Sequence, residues 1–239
     1  ARALVLVARR ADRLAELAAE LRARHPTLLV RAETCDIGDL AAVARLLDTV
    51  AREVGPIDVL VNNAGMGDIA LLERSDWNKL DQMIRLNVVA LTYLTRRLVG
   101  PMVERGRGGI LNVGSGMGLV WIPGMAVYSA TKHYVDAFSE SLRGELRGTG
   151  VVVTHVCPGP VATEFEAVAG NPTGIPVPGF VQISAVRCAR AAIRALDRRR
   201  ALTLPGFLIG LLTRAGTWAP RPLVRFVYSP IGRFLRARG

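Results

Sequence analysis

The sequence has 239 residues, of which half are hydrophobic and 21% are charged, and this composition excludes a disordered or fibrous chain. A chain of this length buries roughly 70% of the surface that its unfolded form exposes, so it needs neither disulfides nor metal to fold. The formal net charge is +11, and the excess lies in residues 180–239, which hold 12 arginines and the single acid Asp197. The first 179 residues are balanced in charge, which argues against a uniformly basic protein that binds polyanions.

Cysteine and histidine form no recognisable metal or disulfide pattern. Cys35, Cys157 and Cys188 are odd in number and include no CxxC, so we expect reduced thiols in a cytoplasmic protein. The three histidines are widely separated, and we predict no metal site. No signal-peptide pattern opens the sequence, and the longest apolar run, residues 201–213, is too short to span a bilayer.

Short apolar runs alternate with segments of helical periodicity along most of the chain. Continuous apolar runs predict strands buried on both faces, and apolar residues spaced by three and four predict helices. The predicted strands are 4–8, 28–32, 58–61, 109–113, 151–156 and 201–204. The predicted helices are 11–25, 40–54, 75–104, 125–147 and 183–196, the third with Ser75 as its N-cap. This alternation predicts an α/β fold with a doubly wound parallel sheet.

Ligands of such sheets bind beyond the carboxyl ends of the strands, and three polar or glycine-rich segments follow predicted strands. They are residues 62–65, 114–116 and 158–160. Tyr128 and Lys132 lie four residues apart on a predicted helix and therefore share one face. A cation beside a phenol lowers the pKa of the phenol, which makes tyrosine a usable general acid or base. Taken alone, such a pair is also compatible with an exposed helix face that has no function.

The motifs around this pair occur in one order along the chain. They are Asn-Asn-Ala-Gly at 62–65, Asn87, Gly-Ser at 114–115, Tyr128 with Lys132, and Pro-Gly-Pro-Val-Ala-Thr at 158–163. Together they resemble the short-chain dehydrogenase/reductase family over about residues 2–165. The resemblance implies a Rossmann-like reductase domain over 1–206 and a homo-oligomeric oxidoreductase. It also implies hydride transfer between NADP(H) and a hydrophobic carbonyl or alcohol.

The resemblance implies a catalytic role for each of four residues. Tyr128 would exchange the proton with the substrate oxygen, and Lys132 would lower the pKa of Tyr128 and bind the nicotinamide ribose. Ser115 would orient the substrate oxygen. Asn87 would hold a water that connects Lys132 to solvent, the alternative being an ordinary asparagine inside a helix.

The cofactor residues are also implied by the resemblance. Arg9 follows the strand that would lie over the adenosine ribose, and an arginine there favours the 2′-phosphate of NADP over NAD. Arg10 is expected to be solvated on the first helical turn. Asp36 would contact adenine, with an N-cap or a turn before the next helix as the alternative. The remaining implied cofactor contacts are Asn63, Ala64, Gly65, Tyr128, Lys132, Pro158, Gly159, Val161 and Thr163.

The sequence departs from the family at its beginning. The family opens with a strand, a glycine-rich turn and a helix that hold the pyrophosphate, whereas this sequence has no glycine before Gly38. The first β-α unit is therefore expected to be missing from the domain. Two explanations remain open: a fragment of an active reductase, or a catalytically silent homologue that serves as a binding or membrane-associated scaffold.

Three further segments bear on partners. Trp121, Ile122 and Met125 predict an apolar substrate surface or ordinary packing, and the Pro/Gly-rich residues 170–179 predict a lid or a plain surface loop. Residues 207–239 form an amphipathic extension that combines large apolar residues with six arginines and no acid. This extension suits packing on the core or on a second subunit, or contact with an anionic membrane. Nucleic acid is the least favoured partner, because no nucleic-acid motif accompanies the arginines.

Overall fold

A computed structural model describes residues 1–170 and 178–238, which form a parallel α/β fold. Its strands are β1 Ala3–Ala8, β2 Leu29–Thr34, β3 Val59–Asn62, β4 Gly108–Val113, β5 Val151–Val156, β6 Val161–Ala162, β7 Ile183–Ser184 and β8 Leu202–Thr203. Its α-helices are α1 Ala11–Arg24, α2 Leu40–Glu53, α3 Trp77–Ile84, α4 Leu91–Glu104, α5 Ala126–Glu145, α6 Phe165–Ala169, α7 Ala185–Asp197, α8 Phe207–Trp218 and α9 Arg221–Arg238. The predicted order of alternating strands and helices is confirmed.

The strands pair in three parallel groups. These are β1 with β2, then β3, β4, β5 and β8 in that order, and the short β6 with β7. The register places Asn62 beside Asn112 and Asn112 beside His155, so β3, β4 and β5 end at the same edge of the sheet. The three segments that follow these strands therefore meet at that edge, as the sequence predicted.

Helices cover both faces of the central strands. Ile110 and Val153 point to one face, where they join a core cluster with Met102 of α4 and Leu142 of α5. Leu111, the next residue along β4, points to the opposite face of the sheet, where Ala192 of α7 packs against it. Successive side chains of a strand alternate between faces, so both faces of β4 and β5 are buried. This is the doubly wound, Rossmann-like arrangement.

The strands β1 and β3 expose apolar side chains. Among the described residues no pairing joins β1 to β3, and Val7, Val59 and Val61 are exposed. A parallel strand with an open backbone edge and exposed valines is normally covered by a neighbour. That a further strand of the family's sheet belongs at this place stays a prediction, and these valines are the side chains on which it would pack.

The predicted element boundaries differ from the structure by one or two residues, and two of the helices show the reason. The helix predicted over 75–104 is interrupted by a π-helical segment, Arg85–Ala90, between α3 and α4, and its N-cap is Asp76. The Asp76 carboxylate accepts hydrogen bonds from the backbone of Asn78 and Lys79, whereas the Ser75 hydroxyl donates to Asp68. The helix predicted from residue 183 begins at Ala185, because the two preceding residues pair with β6.

The C-terminal extension consists of the helices α8 and α9, which pack on the segment between Ser115 and Tyr128. The rings of Trp121 and Tyr228 meet edge to face with centroids 5.8 Å apart, and Leu235 is buried. Among the described residues, no helix combines the length and the apolar character needed to span a bilayer. The predicted lid over 170–179 falls largely on residues 171–177, which lie outside the described residues.

Candidate active site

Ser115, Tyr128 and Lys132 meet at the carboxyl edge of the sheet. Ser115 follows β4 and caps a short 3-10 turn, Gly116–Gly118, where its hydroxyl accepts a hydrogen bond from the backbone of Met117. Tyr128 and Lys132 lie one turn apart on α5, with exposed fractions of 7% and 5%. The Ser115 hydroxyl lies close enough to the Tyr128 hydroxyl to influence the pKa of the phenol, and Lys132 Nζ lies 5.9 Å from the centre of the Tyr128 ring. The structure thus brings together three of the four residues for which the sequence implied a catalytic role.

Burial controls the ionisation of this group. It raises the pKa of Tyr128, and the hydrogen bond to Ser115 opposes that shift. It also lowers the pKa of Lys132 to about 8. The predicted lowering of the Tyr128 pKa by Lys132 is not what this structure shows. The ammonium donates instead to the Val113 carbonyl at 3.0 Å, and loss of solvent is the main cause of the raised pKa of Tyr128.

Asn87 lies beside Lys132, in the π-helical segment between α3 and α4. Its Nδ2 donates to the Met66 carbonyl at 2.9 Å and to Thr131 Oγ1 at 3.0 Å, and its Oδ1 accepts from the Met66 amide. A Cβ on Gly65 would lie 3.2 Å from Asn87 Oδ1 and 3.4 Å from Lys132 Nζ. Asn87 therefore ties the segment after β3 to α5, and its water-holding role stays a proposal.

A buried polar network behind the site was missed by the sequence analysis. Asn62 Nδ2 donates to Asn112 Oδ1 at 2.8 Å and to Thr95 Oγ1 at 3.1 Å, and Asn112 Nδ2 donates to Ser139 Oγ at 2.9 Å. These contacts link the ends of β3 and β4 to α4 and α5. An asparagine at the end of an otherwise apolar strand was the available signal, because buried amides require partners.

A second cluster, of Asp136, His155 and Cys157, contains side chains of the types that bind metals. His155 Nδ1 lies 3.1 Å from Asp136 Oδ1, and Cys157 Sγ lies 3.2 Å from His155 Nε2. Burial raises the pKa of the Cys157 thiol to about 12, which disfavours the thiolate that metals bind. The Nε2 side of the ring packs against the backbone of Gly114. These contacts favour a packing role over metal binding.

We expect Gly114→Ala to destabilise the protein, because the new Cβ would overlap His155 Nε2 in the core. Overpacking of this kind costs roughly 1–3 kcal/mol in the free energy of unfolding. Gly144→Ala on α5 is the matched control, since its new Cβ would meet no other atom within 4 Å. Urea unfolding of both variants measures the difference, and an unchanged midpoint for Gly114→Ala would contradict this packing.

The predicted nucleotide residues lie at the ends of the neighbouring strands. Asn63, Ala64 and Gly65 are partly or fully exposed after β3, and Arg9 lies after β1 with its Nη1 4.0 Å from Asp36 Oδ2. The Asp36 carboxylate accepts from the Gly38 amide at 2.9 Å, whereas Asp39 caps α2. Of the two alternatives for Asp36, the structure supports the turn and excludes the N-cap.

The Pro-Gly-Pro segment packs beside the serine and links to the start of α1. The Pro158 carbonyl accepts a hydrogen bond from Gly116 at 2.8 Å, and Gly159 and Val161 lead from there to the exposed Thr163. The next residue, Glu164, pairs with Arg10 at 2.9 Å. The expectation that Arg10 is only solvated is therefore wrong.

Apolar side chains surround the Tyr128 ring. They are Met66, Met117, Met125, Val127 and Phe165, together with the buried Leu80 and Met83. The rings of Tyr128 and Phe165 lie 5.6 Å apart. Of the apolar residues predicted before α5, Met125 belongs to this cluster, whereas Trp121 packs against Tyr228 of the C-terminal extension.

This arrangement has counterparts in known proteins. The profile of the family described as short chain dehydrogenase matches residues 1–172. The chain belongs to this family. Sulfoacetaldehyde reductase 2 of Chromohalobacter salexigens is 38% identical over 173 residues, which cover 69% of this chain and 65% of that protein. The chain therefore spans just under two thirds of the length of this curated relative.

Two solved structures share the fold of this family member. A short-chain dehydrogenase from Sphingobium yanoikuyae, in complex with NADPH, is 30% identical with a TM-score of 0.78, covering 92% of this chain and 87% of that one. A bulky-bulky ketone specific alcohol dehydrogenase from Comamonas testosteroni is 26% identical with a TM-score of 0.73, covering 92% and 85%. Both matches extend beyond residue 172 and therefore include part of the C-terminal region.

Proposed function

We propose that this short chain dehydrogenase is an oxidoreductase that transfers a hydride between NADP(H) and a hydrophobic carbonyl or alcohol. The observation that carries the proposal is the group formed by the half-buried Ser115 and the buried Tyr128 and Lys132, beside a cluster of methionine and aromatic side chains. The polar atoms can hold one substrate oxygen, and the surrounding surface suits an apolar substrate body.

Proton transfer is the task of the protein in this reaction. NADPH, when bound, supplies the hydride to the carbonyl carbon. The Tyr128 hydroxyl donates its proton to the carbonyl oxygen, and the Ser115 hydroxyl hydrogen-bonds to the same oxygen and fixes its position. The Lys132 ammonium stabilises the phenolate that remains, until a proton from solvent restores the phenol.

The described residues fit the nucleotide in part. Gly65 lies so close to Asn87 and Lys132 that a larger residue would fill the space beside the ammonium, where the nicotinamide ribose would bind. The Arg9 guanidinium is about two-thirds exposed and suits a 2′-phosphate. The exposed Asn63 and Thr163 lie at the same edge and suit contacts to the rest of the nucleotide.

We expect Arg9→Ala to weaken NADPH binding roughly 10- to 100-fold, as loss of a charge-assisted hydrogen bond does, and to leave NADH binding unchanged. Arg10→Ala is the matched control, because Arg10 already pairs with Glu164. Titration of both variants with NADPH and NADH, followed by nucleotide fluorescence, measures the ratio. If Arg9→Ala weakened the binding of NADPH and of NADH equally, Arg9 would not be the residue that binds the 2′-phosphate.

The alternative is a homologue that binds the nucleotide without turnover. An assay of NADPH oxidation with a panel of bulky apolar ketones, measured by the absorbance of NADPH, separates the oxidoreductase from the silent homologue. Turnover that depends on Tyr128 supports the oxidoreductase. NADPH binding with no turnover on any ketone, or on the corresponding alcohols with NADP, supports the silent homologue.

We also propose that the protein acts in the cytoplasm as a homo-oligomer. The outer face of α7 supports the homo-oligomer, because Val186 and Ile193 are exposed there although they are large and apolar. Light scattering of the purified protein gives the subunit number, and Ile193→Asp is expected to lower it.

A further inference from the structure

The C-terminal extension has an inner face that packs on the domain. Along α9 the inner side chains are those of Val224, Tyr228, Ile231 and Leu235, at the spacing of one helix face. Tyr228 packs on Trp121, and Leu235 lies so close to Gly124 that a Cβ there would be 2.6 Å from its Cδ1. The extension is therefore held in one orientation, and its other side faces outward.

The outer side of α9 carries an exposed apolar stripe. Leu223, Phe226, Val227 and Pro230 follow one another at steps of three, one and three residues and so share a face. Phe226 is 77% exposed, and Trp218 at the end of α8 is 89% exposed. Aromatic side chains of this exposure gain free energy when another apolar surface covers them, so the stripe suits a docking partner.

A basic stripe runs alongside the apolar one. Arg221, Arg225, Arg233 and Arg236 are exposed on the flank of α9, and residues 207–239 contain no acid. Arg236 also pairs with Glu73 of the domain at 2.8 Å, which leaves its guanidinium about two-thirds exposed. The outer side of α9 is thus half apolar and half cationic.

The charge distribution favours one occupant over the others. A second copy of the chain, related by a two-fold axis, would bring arginines against arginines with no carboxylate from the extension between them. An anionic bilayer complements both stripes, because lipid phosphates pair with arginines while aromatic rings insert at the boundary with the acyl chains. We propose that the outer face of α9, with Trp218, docks on the surface of an anionic lipid bilayer.

Docking would place the candidate active site close to the lipid. α8 and α9 rest on the segment between Ser115 and Tyr128, with Gly216 packed against Val120 and Tyr228 against Trp121. A hydrophobic substrate dissolved in the bilayer would then reach the apolar cluster around Tyr128 without crossing bulk water. This consequence, unlike the docking itself, rests on the proposed oxidoreductase function.

Sedimentation with lipid vesicles tests the docking directly. The wild-type protein is expected to bind vesicles of phosphatidylglycerol and phosphatidylcholine, and to leave pure phosphatidylcholine vesicles unbound. Phe226→Asp is expected to weaken binding by about 10- to 100-fold, as the loss of one inserted aromatic side chain requires. Leu17→Asp on α1, which replaces an exposed apolar side chain elsewhere, is the matched control and should bind as the wild type does.

Tryptophan fluorescence locates the contact independently. In a Trp77→Phe/Trp121→Phe background the remaining Trp218 should shift its emission to shorter wavelength on anionic vesicles and be quenched by brominated lipid. Unchanged Trp218 emission on vesicles that bind the protein would overturn the assigned face. If the double variant does not fold, quenching of the wild type compared with Trp218→Phe gives the same answer.

Other outcomes overturn the proposal in distinct ways. Absence of vesicle binding together with a lower subunit number for Phe226→Asp assigns the face to a subunit interface. Binding to RNA as tight as to vesicles assigns it to polyanions in general. NADPH binding of Phe226→Asp without lipid should equal that of the wild type, so a failure of docking and a failure of the proposed reaction are told apart.

Discussion

Tyr128→Phe should reduce kcat by roughly 10²- to 10⁴-fold, the usual contribution of a positioned general acid or base, with NADPH affinity unchanged. The substitution removes only the hydroxyl that Ser115 contacts and keeps the ring against Phe165. The burial of the site is therefore preserved while proton transfer to the substrate oxygen is lost. Ketone-dependent oxidation of NADPH measures the first effect, and fluorescence titration with NADPH measures the second.

Tyr134→Phe provides the control on the same helix. Its hydroxyl hydrogen-bonds to Thr92 at 2.7 Å on the exposed side of α5, away from Ser115. We expect this variant to keep wild-type kcat. Substantial turnover in Tyr128→Phe, or an equal loss in both variants, would rule out Tyr128 as the group that transfers the proton.

The sequence located the candidate site because its residues follow strands. In a parallel sheet the residues after each strand meet at one edge, so Ser115 and the segments at 62–65 and 158–160 could be placed together before any contact was known. The four-residue spacing of Tyr128 and Lys132 fixed their common helix face. Both relations depend on local periodicity, which a sequence displays directly.

The contacts behind the site could not be read from periodicity. The hydrogen bonds of Asn62 with Thr95 and of His155 with Asp136 join residues that are far apart in the chain. Which partner satisfies a buried polar group depends on the packing of α4 and α5, not on the strand that carries it. The same holds for Trp121, whose partner Tyr228 lies more than 100 residues further along the chain.

The pKa of Tyr128 is the most instructive discrepancy. The sequence shows the charge of Lys132 but not how little water surrounds it. Burial raises the pKa of Tyr128 and lowers the pKa of Lys132, so it favours the neutral form of both side chains. The lysine that we propose to assist proton transfer is therefore held at a cost in stability. This cost can be measured.

Lys132→Met should make the protein more stable near pH 7 and at the same time nearly inactive. Because the pKa of Lys132 falls from 10.5 to about 8 on folding, the unfolded chain binds more protons between these pH values. The free energy of unfolding of the wild type should therefore rise with pH across that window. Below pH 8 the buried charge costs on the order of 3 kcal/mol, which the methionine avoids.

Lys79→Met should act in the opposite direction. Lys79 Nζ pairs with the buried Asp68 carboxylate at 2.8 Å, so its removal leaves that carboxylate with the Ser75 hydroxyl and without its countercharge. The free energy of unfolding should fall by roughly 1–3 kcal/mol. Chemical unfolding at pH 7 and pH 9.5, without nucleotide, measures both variants. If Lys132→Met shows the same pH dependence as the wild type, then the pKa of Lys132 is not lowered on folding, and the buried charge assigned to it is wrong.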